Sequence, residues 1–437
     1  MFKFIVAIFF IAIHALSLYG YGYFFQKIDR PPQPTSWSIS IILGLGCWIF
    51  IGGVLNLIGL AYPWALSTMV AVGLGLSLVT LFRATIGEPV VGKRLRVWFA
   101  EATPFLLPII VVSIFIIATL VPPAAFNFHD DFHKYMAYTM RMLQTGTLAG
   151  SPFNSLGTET LGGQSFLQGF VLSYFPLQYI NGFDLLFGLL VCMLLLLDYG
   201  VRLSAPSAII FLALLSVVFI NPLYVNVSSL YSGSAFLLAL TLFTVTRIQA
   251  VTYDHRSDIF IGIVVALFYS SLVALKGTFL FFIALHFVFL IAAIGLATRD
   301  TRRTMRIALT VVPVSIFFIS PWLSLYLPHY LEGVHNVFTS SASLPTLTSV
   351  LGRPIDIDLP PIINLLSTDP VFYGDSFAKY TFCRLFSRLL RHVRFGWGKN
   401  TECCPKGEGT RICRHMRCCF CHVYSFYVCC RSETTWR

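Results

Sequence analysis

Runs of about twenty apolar residues recur along the first 328 positions of this 437-residue chain and limit its fold more than any other feature. A helix of that length crosses roughly 30 Å of hydrocarbon. Hydrophobic residues make up 57% of the sequence and charged residues only 11%, against about a quarter charged in a typical soluble domain. The sequence therefore predicts an all-α fold, a polytopic transmembrane helix bundle.

The apolar runs predict about ten spans, at residues 3–24, 38–59, 63–82, 104–121, 183–200, 206–223, 233–250, 259–275, 278–297 and 307–327. The first run has a poor cleavage site and many spans follow it, so we expect an uncleaved first helix rather than a signal peptide. The segment 165–181 is interrupted by Gln168, Pro176 and Gln178. We expect it to form a re-entrant or interfacial helix that does not cross the membrane.

Basic residues in the short loops predict an orientation. With ten spans, thirteen Lys and Arg side chains fall on one side and four fall on the other, namely Lys3, Lys134, Arg141 and Lys276. The positive-inside rule makes the first side cytoplasmic. The loop at 122–182 is then extracytoplasmic, and a spanning 165–181 segment would largely abolish the bias.

The net charge of +11 is concentrated at the C-terminus. Residues 376–437 hold twelve Lys and Arg against three Glu, which leaves 18 basic and 16 acidic side chains for the first 375 residues. The membrane body is nearly neutral, so the sequence gives no support for a nucleic-acid partner.

Three regions follow from these patterns. Residues 1–328 form the transmembrane body, residues 329–378 an extracytoplasmic Pro-rich segment, and residues 379–437 a tail rich in Cys and Arg. Nine of the eleven cysteines lie at or beyond Cys383. The tail is open to three interpretations: translation in a wrong frame, a disordered or disulfide-bonded tail, or a zinc site around the CxxC of Cys418 and Cys421.

The longest loop of the body contains two aspartates, two histidines, a lysine and an arginine in one short stretch, FNFHDDFHKYMAYTMRMLQTG at 126–146. A carboxylate at a low-dielectric boundary can accept a proton from an attacking hydroxyl. Adjacent carboxylates can instead hold a divalent cation such as Mg or Mn, which would neutralise a phosphate leaving group. Asp130 and Asp131 are suited to either role. We expect a short amphipathic helix to follow them in the chain.

Two other interpretations of this stretch stay open. An amphipathic helix can lie at the interface with its charges simply solvated. The order His129-Asp130-Asp131-Phe132-His133 also resembles the H-E-x-x-H zinc-protease pattern, but Asp replaces Glu and no third ligand is evident.

Lys276 lies in the sequence SSLVALKGTFLFF and is the only charged residue in a stretch of nearly forty residues. Ionisable residues at membrane depth are costly and indicate function. The lysine either snorkels at a tight turn between two spans or faces an anionic substrate, and these roles are compatible.

An acidic outer-face loop, a following amphipathic helix, many spans and a boundary lysine together resemble the GT-C superfamily of integral-membrane glycosyltransferases, which includes protein mannosyltransferase-like enzymes. HDDFHKYMAYTMRMLQTG and SSLVALKGTFLFF carry the resemblance, over roughly residues 104–328. The acidic loop follows the fourth span here, whereas in much of that group it follows the first. The C-terminal portion that often completes acceptor binding is missing or replaced by the tail, which indicates a truncated or inactive member.

The resemblance implies a polyprenyl-phosphate sugar as donor and reaction on the extracytoplasmic face of a bacterial inner or plasma membrane. Asp130 or Asp131 would be the base or metal-binding acid. Lys276 would face the donor phosphate, with Arg141 as a helper and His133 and Tyr135 lining the substrate site. The alternative function is a transporter, flippase or polysaccharide polymerase-like protein.

Overall fold

The computed structural model describes residues 2–27, 36–87, 135–149, 160–203, 205–218, 228–249, 255–298 and 300–339. Within these ranges the chain is helical and contains no strand. Eleven α-helices are described there: α1 Phe2–Gln26, α2 Trp37–Leu57, α3 Pro63–Gly87, α4 Ala137–Thr145, α5 Gly163–Leu172, α6 Leu189–Arg202, α7 Ser207–Val218, α8 Leu230–Gln249, α9 His255–Leu275, α10 Phe279–Thr298 and α11 Thr301–Thr339. A π-helical turn, Phe183–Gly188, runs directly into α6.

Eight of these helices are long and apolar enough to cross a membrane, so the chain is a multi-pass helical membrane protein. Their apolar windows are Ile8–Gln26, Trp37–Leu57, Pro63–Thr80, Phe183–Val201, Leu230–Arg247, Ser257–Leu275, Phe279–Leu296 and Thr301–Tyr326. All eight coincide with predicted spans. The predicted span at 206–223 is described as a helix only over Ser207–Val218, and the one at 104–121 lies outside the described residues.

Small residues let the first three helices approach closely. A side chain at Gly44 on α2 would collide with the backbone of Leu18 on α1, and one at Gly73 on α3 would collide with Ser17. Ser17 also donates its hydroxyl to the carbonyl of Val70 at 3.0 Å. Lipid provides no hydrophobic driving force for helices to associate. Close backbone packing and hydrogen bonds between the helices stabilise their association instead.

The bundle has a centre and a lipid-facing periphery. The apolar window of α9 is 83% buried, because α9 packs against α2, α8 and α11. The window of α10 is only 17% buried. Leu280, Val288 and Leu296 on α10 are exposed, as expected for side chains that contact lipid.

One end of the bundle collects basic residues, and we call it the basic end. There Gln26 at the end of α1 donates to Ser40 of α2 at 3.1 Å, and Ser38 donates to Asp198 of α6 at 2.8 Å. Phe25 lies 6.1 Å from Phe260 of α9, measured between ring centroids. Basic residues therefore lie at this end of the bundle, at or next to the ends of α1, α6 and α8 and the starts of α9 and α11. Helices that run alternately up and down, as the ten-span prediction requires, would place them there. We call the opposite end the loop end.

Candidate functional site at the loop end

The residues proposed from sequence divide into two groups. Asp130, Asp131 and His133 lie outside the described residues. Tyr135, Arg141 and Lys276 are described. The geometry of the site is therefore built from the two ends of the long loop, α4 and α5, and from the turn that carries Lys276.

The helix that follows the acidic pair is short and amphipathic, as the sequence predicts. Tyr135 and Met136 are helical, and Tyr138, Thr139 and Met142 form the buried face of α4. Tyr135 is 7% exposed and packs with Met136 against Ile180. The backbone from Tyr135 onward is thus anchored in the protein rather than lying free in solvent.

The end of α4 is attached to the turn between α2 and α3. Gly146 ends the helix with a left-handed backbone, φ 77°, which glycine adopts without strain. Its carbonyl accepts a hydrogen bond from the amide of Ala61 at 2.8 Å. Asn56, which is fully buried, accepts from the amide of Leu148 at 3.0 Å, and Thr147 donates to the Asn56 carbonyl at 2.7 Å.

Arg141 takes part in this attachment. One guanidinium nitrogen donates to the carbonyl of Ala149 at 2.9 Å, so the side chain closes the turn that follows α4. The guanidinium is half-buried at the loop end. The structure therefore gives Arg141 a structural role, and its predicted role in binding substrate stays a prediction.

The predicted non-spanning segment contains α5, which is inserted into the bundle. Its ten residues are too few to cross about 30 Å of hydrocarbon, and residues 163–171 are all buried. The ring of Phe166 packs against Gly52, and that of Phe170 stacks on Trp48 at 4.3 Å, in the middle of α2. Of the two predicted arrangements, re-entrant or interfacial, the structure has the re-entrant one.

A buried polar contact joins α4 to α5. The hydroxyl of Thr139 lies 3.0 Å from the side-chain oxygen of Gln168 and 3.2 Å from the carbonyl of Ser165. Gln164 and Ser165 are also buried. In the apolar interior these groups fix α5 in one position, because polar groups there must find partners.

Lys276 lies at the turn between α9 and α10, half-buried, at the C-terminal end of α9. A cation at that position is favoured by the helix dipole. Thr160 donates to the carbonyl of Leu275 at 3.0 Å, and Gly163 packs directly against Ala274. The start of the re-entrant helix therefore lies beside Lys276, and within the described ranges Lys276 forms no ion pair.

The structure thus brings Arg141 and Lys276 to the same end of the bundle, connected through α5. No group of three or more His, Cys, Asp or Glu side chains is gathered in the part of the chain that the structure describes. The predicted divalent cation on Asp130 and Asp131 concerns residues outside that part and stays a prediction.

Sequence reasoning missed several buried polar residues. Asp184, 1% exposed, accepts from the amides of Tyr231 at 3.0 Å and Ser232 at 2.8 Å, and so caps the start of α8 from a neighbouring helix. A lone aspartate at the start of an apolar run is the signal that could have identified it. Asn56 and Thr139 gave no comparable signal, because each is a single polar residue among many.

Comparisons of the chain with protein-family models, with curated proteins and with solved structures find no match. The fold and site define a multi-pass helical membrane protein with a re-entrant helix at its loop end. The resemblance to the GT-C superfamily stays a prediction.

Proposed function

We propose that this chain is a membrane glycosyltransferase that moves a sugar from a polyprenyl-phosphate donor to an acceptor at the loop end, on the extracytoplasmic side. One observation carries the proposal. Lys276, half-buried and without an ion pair among the described residues, lies beside the start of a buried re-entrant helix. A cation held at the membrane boundary in this way is suited to a lipid phosphate.

The anchored α4 supports the same proposal. It follows Asp130 and Asp131 in the chain after a short intervening stretch, and its far end is hydrogen-bonded to the α2–α3 turn at the loop end. A catalytic group requires such support, because small displacements of a reacting group reduce the rate strongly. Residues 135–149, which follow the carboxylates in the chain, are therefore fixed at the end of the bundle where Lys276 lies.

The reaction assigns a role to each predicted residue. The acceptor hydroxyl attacks the anomeric carbon, the bond from that carbon to the phosphate oxygen breaks, and the phosphate leaves with the bonding electrons. The hydroxyl proton passes to Asp130 or Asp131 as general base, and configuration inverts. Lys276, helped by Arg141, attracts the donor phosphate, while His133 and Tyr135 line the sugar site.

The proposed reaction also has a place for a divalent cation at the two aspartates. Asp130 and Asp131 are the residues that would hold Mg or Mn, which supplies positive charge for a phosphate leaving group. The carboxylate pair has the hard oxygen ligands that these cations prefer.

A second function is favoured by a different observation. Within the membrane-spanning helices, Tyr269 lies 2.7 Å from Nδ1 of His286, and Thr244 lies 3.5 Å from Nε2 of the same ring. Polar side chains from α8, α9 and α10 thus meet inside the bundle, as in a transport path. A transporter or flippase of lipid-linked sugars is the alternative that this cluster supports.

Substitution tests the enzyme directly. Asp130→Asn, Asp131→Asn and the double variant are assayed in membranes for loss of sugar from a polyprenyl-phosphate donor. Loss of a general base is expected to reduce transfer by about 10²–10⁴-fold. Lys276→Gln is expected to reduce it about tenfold to a hundredfold and Lys276→Arg less, whereas Lys27→Gln at the basic end serves as the matched control. Unchanged transfer in the double aspartate variant would reject the catalytic assignment.

A further inference from the structure

Two ring nitrogens with opposite hydrogen-bonding capacity are buried together where α1, α2 and α5 meet. His14 is 3% exposed and Trp48 is 0% exposed. Their ring centroids lie 5.9 Å apart with an interplanar angle of 76°. Among the described residues, neither Nε2 of His14 nor Nε1 of Trp48 has a hydrogen-bond partner.

The hydrogen bond at the other nitrogen of His14 determines what Nε2 can do. Nδ1 lies 2.7 Å from the carbonyl oxygen of Phe10, which can only accept, so Nδ1 carries the proton. In the neutral imidazole Nε2 is then an acceptor. The indole nitrogen of Trp48 can only donate, so the two nitrogens require complementary partners.

The described side chains whose rings lie around His14 and Trp48 do not supply those partners. The rings of Phe10, Phe170 and Phe183 lie 3.9, 5.8 and 6.4 Å from the imidazole. Tyr21, whose ring is 6.4 Å from Trp48, already donates its hydroxyl to the carbonyl of Met69 at 3.1 Å. Buried polar groups in native proteins are nearly always satisfied, by protein or by ordered water.

We propose that one water molecule is bound between His14 and Trp48, where it accepts from the Trp48 indole and donates to Nε2 of His14. Two hydrogen bonds of about 2.9 Å at a tetrahedral water separate two nitrogens by roughly 4.7 Å. With ring centroids 5.9 Å apart, the two rings are close enough for one water to contact a nitrogen of each. The water joins α1 to α2 directly beside Phe170, which stacks on Trp48, and so stabilises the position of the re-entrant helix.

A double-mutant cycle tests the bridge on the full-length protein in detergent. His14→Phe and Trp48→Phe are each expected to lower the midpoint of thermal unfolding by a few degrees, because each leaves the water with one partner or, if the water is lost, the other nitrogen with none. The double variant is expected to lose less than the sum of the two. If the nitrogens face a dry contact, His14→Phe removes an unsatisfied group and raises the midpoint, which overturns the proposal.

Trp322 provides the matched control. Its indole nitrogen donates to the carbonyl of Ile49 at 3.0 Å, on another face of α2, and needs no water. Trp322→Phe combined with His14→Phe is therefore expected to be additive. Equal non-additivity in this pair would show that the cycle reports general packing, and the water would be rejected.

A spectroscopic measurement on the unsubstituted protein decides the question even where a variant does not fold. The indole proton of Trp48 is expected to show a nuclear Overhauser cross-peak to a long-lived water. Its assignment follows from single Trp→Phe changes at the other six of the seven tryptophans. Absence of the cross-peak at Trp48 would overturn the proposal.

Discussion

Asp258 on α9 accepts a hydrogen bond from Nε of Arg303 on α11 at 2.8 Å, and the two side chains are only 3% and 5% exposed. The second carboxylate oxygen of Asp258 accepts from Arg306 at 3.0 Å, on a side chain that is 31% exposed. One buried carboxylate therefore pairs with two of the basic residues that the positive-inside rule assigns to the cytoplasmic side. The pair also fixes the packing of α9 against α11 at the basic end.

Removing Asp258 is expected to destabilise the protein strongly. Asp258→Ala leaves Arg303 buried without its counter-charge, which costs about 3–5 kcal/mol in comparable buried pairs. Arg306→Ala removes a partly exposed partner and is expected to cost at most about 1 kcal/mol. Denaturant unfolding in detergent measures both, and equal stability of the two variants would contradict a buried pair.

A side chain at Gly52 of α2 is expected to disturb the packing of α5 against α2. A methyl group there would collide with the Phe166 ring of α5, whereas a methyl group at Gly75 on α3 would meet nothing. Overpacking of this kind costs about 1–3 kcal/mol, so Gly52→Ala should lower stability by that amount. Gly75→Ala is the matched control and should be neutral or stabilising by about 0.5–1 kcal/mol. Comparable losses at both glycines would mean that α5 is not inserted against α2.

The helical bundle could be predicted from sequence because its physical cause is local. The run at 278–297, for example, is apolar apart from a few residues such as His286, and its length and hydropathy identify it as the span Phe279–Leu296. Each basic residue in a short loop likewise indicates the end of the adjacent helix, independently of the other helices. Neither prediction requires knowledge of which helix lies beside which.

The candidate site could be predicted only in part, because its geometry depends on contacts between distant segments. Gln168 indicated that its segment does not span, but only the contact with Thr139 explains why the glutamine is buried. The proximity of Lys276 to the start of α5 depends on the bond from Thr160 to Leu275, which are 115 positions apart. No pattern within either segment specifies that pairing.

Thr147 is expected to control how firmly α4 is attached. Its hydroxyl donates to the Asn56 carbonyl at 2.7 Å and accepts from the Ala149 amide at 3.0 Å. Thr147→Val keeps the shape but removes both bonds, which should cost about 1–3 kcal/mol and reduce sugar transfer. Thr147→Ser retains the hydroxyl and is the control.

The readout for Thr147 is trypsin cleavage at Arg141, together with the transfer assay. Faster cleavage in the valine variant, with the serine variant unchanged, is the expected result. If both variants resist cleavage equally, the hydroxyl does not hold α4 on the bundle.

Cysteine labelling is expected to place the loop end and the basic end on opposite faces of the membrane. Gln144 on α4 and Thr301 at the start of α11 are both exposed, at the loop end and the basic end respectively. The background for labelling replaces the nine cysteines at or beyond Cys383 with serine. In the described body Cys47 is half-buried within α2 and Cys192 is buried, so both can stay.

In intact cells, a membrane-impermeant maleimide should label Gln144→Cys, whereas Thr301→Cys should react only after permeabilisation. The physical reason is the excess of Lys and Arg at the basic end, which holds that end in the cytoplasm. Labelling of both positions from outside would break the alternation of helices between the two ends. Labelling of Thr301→Cys alone would invert the orientation and put Lys276 on the cytoplasmic face, where a donor presented from outside could not reach it.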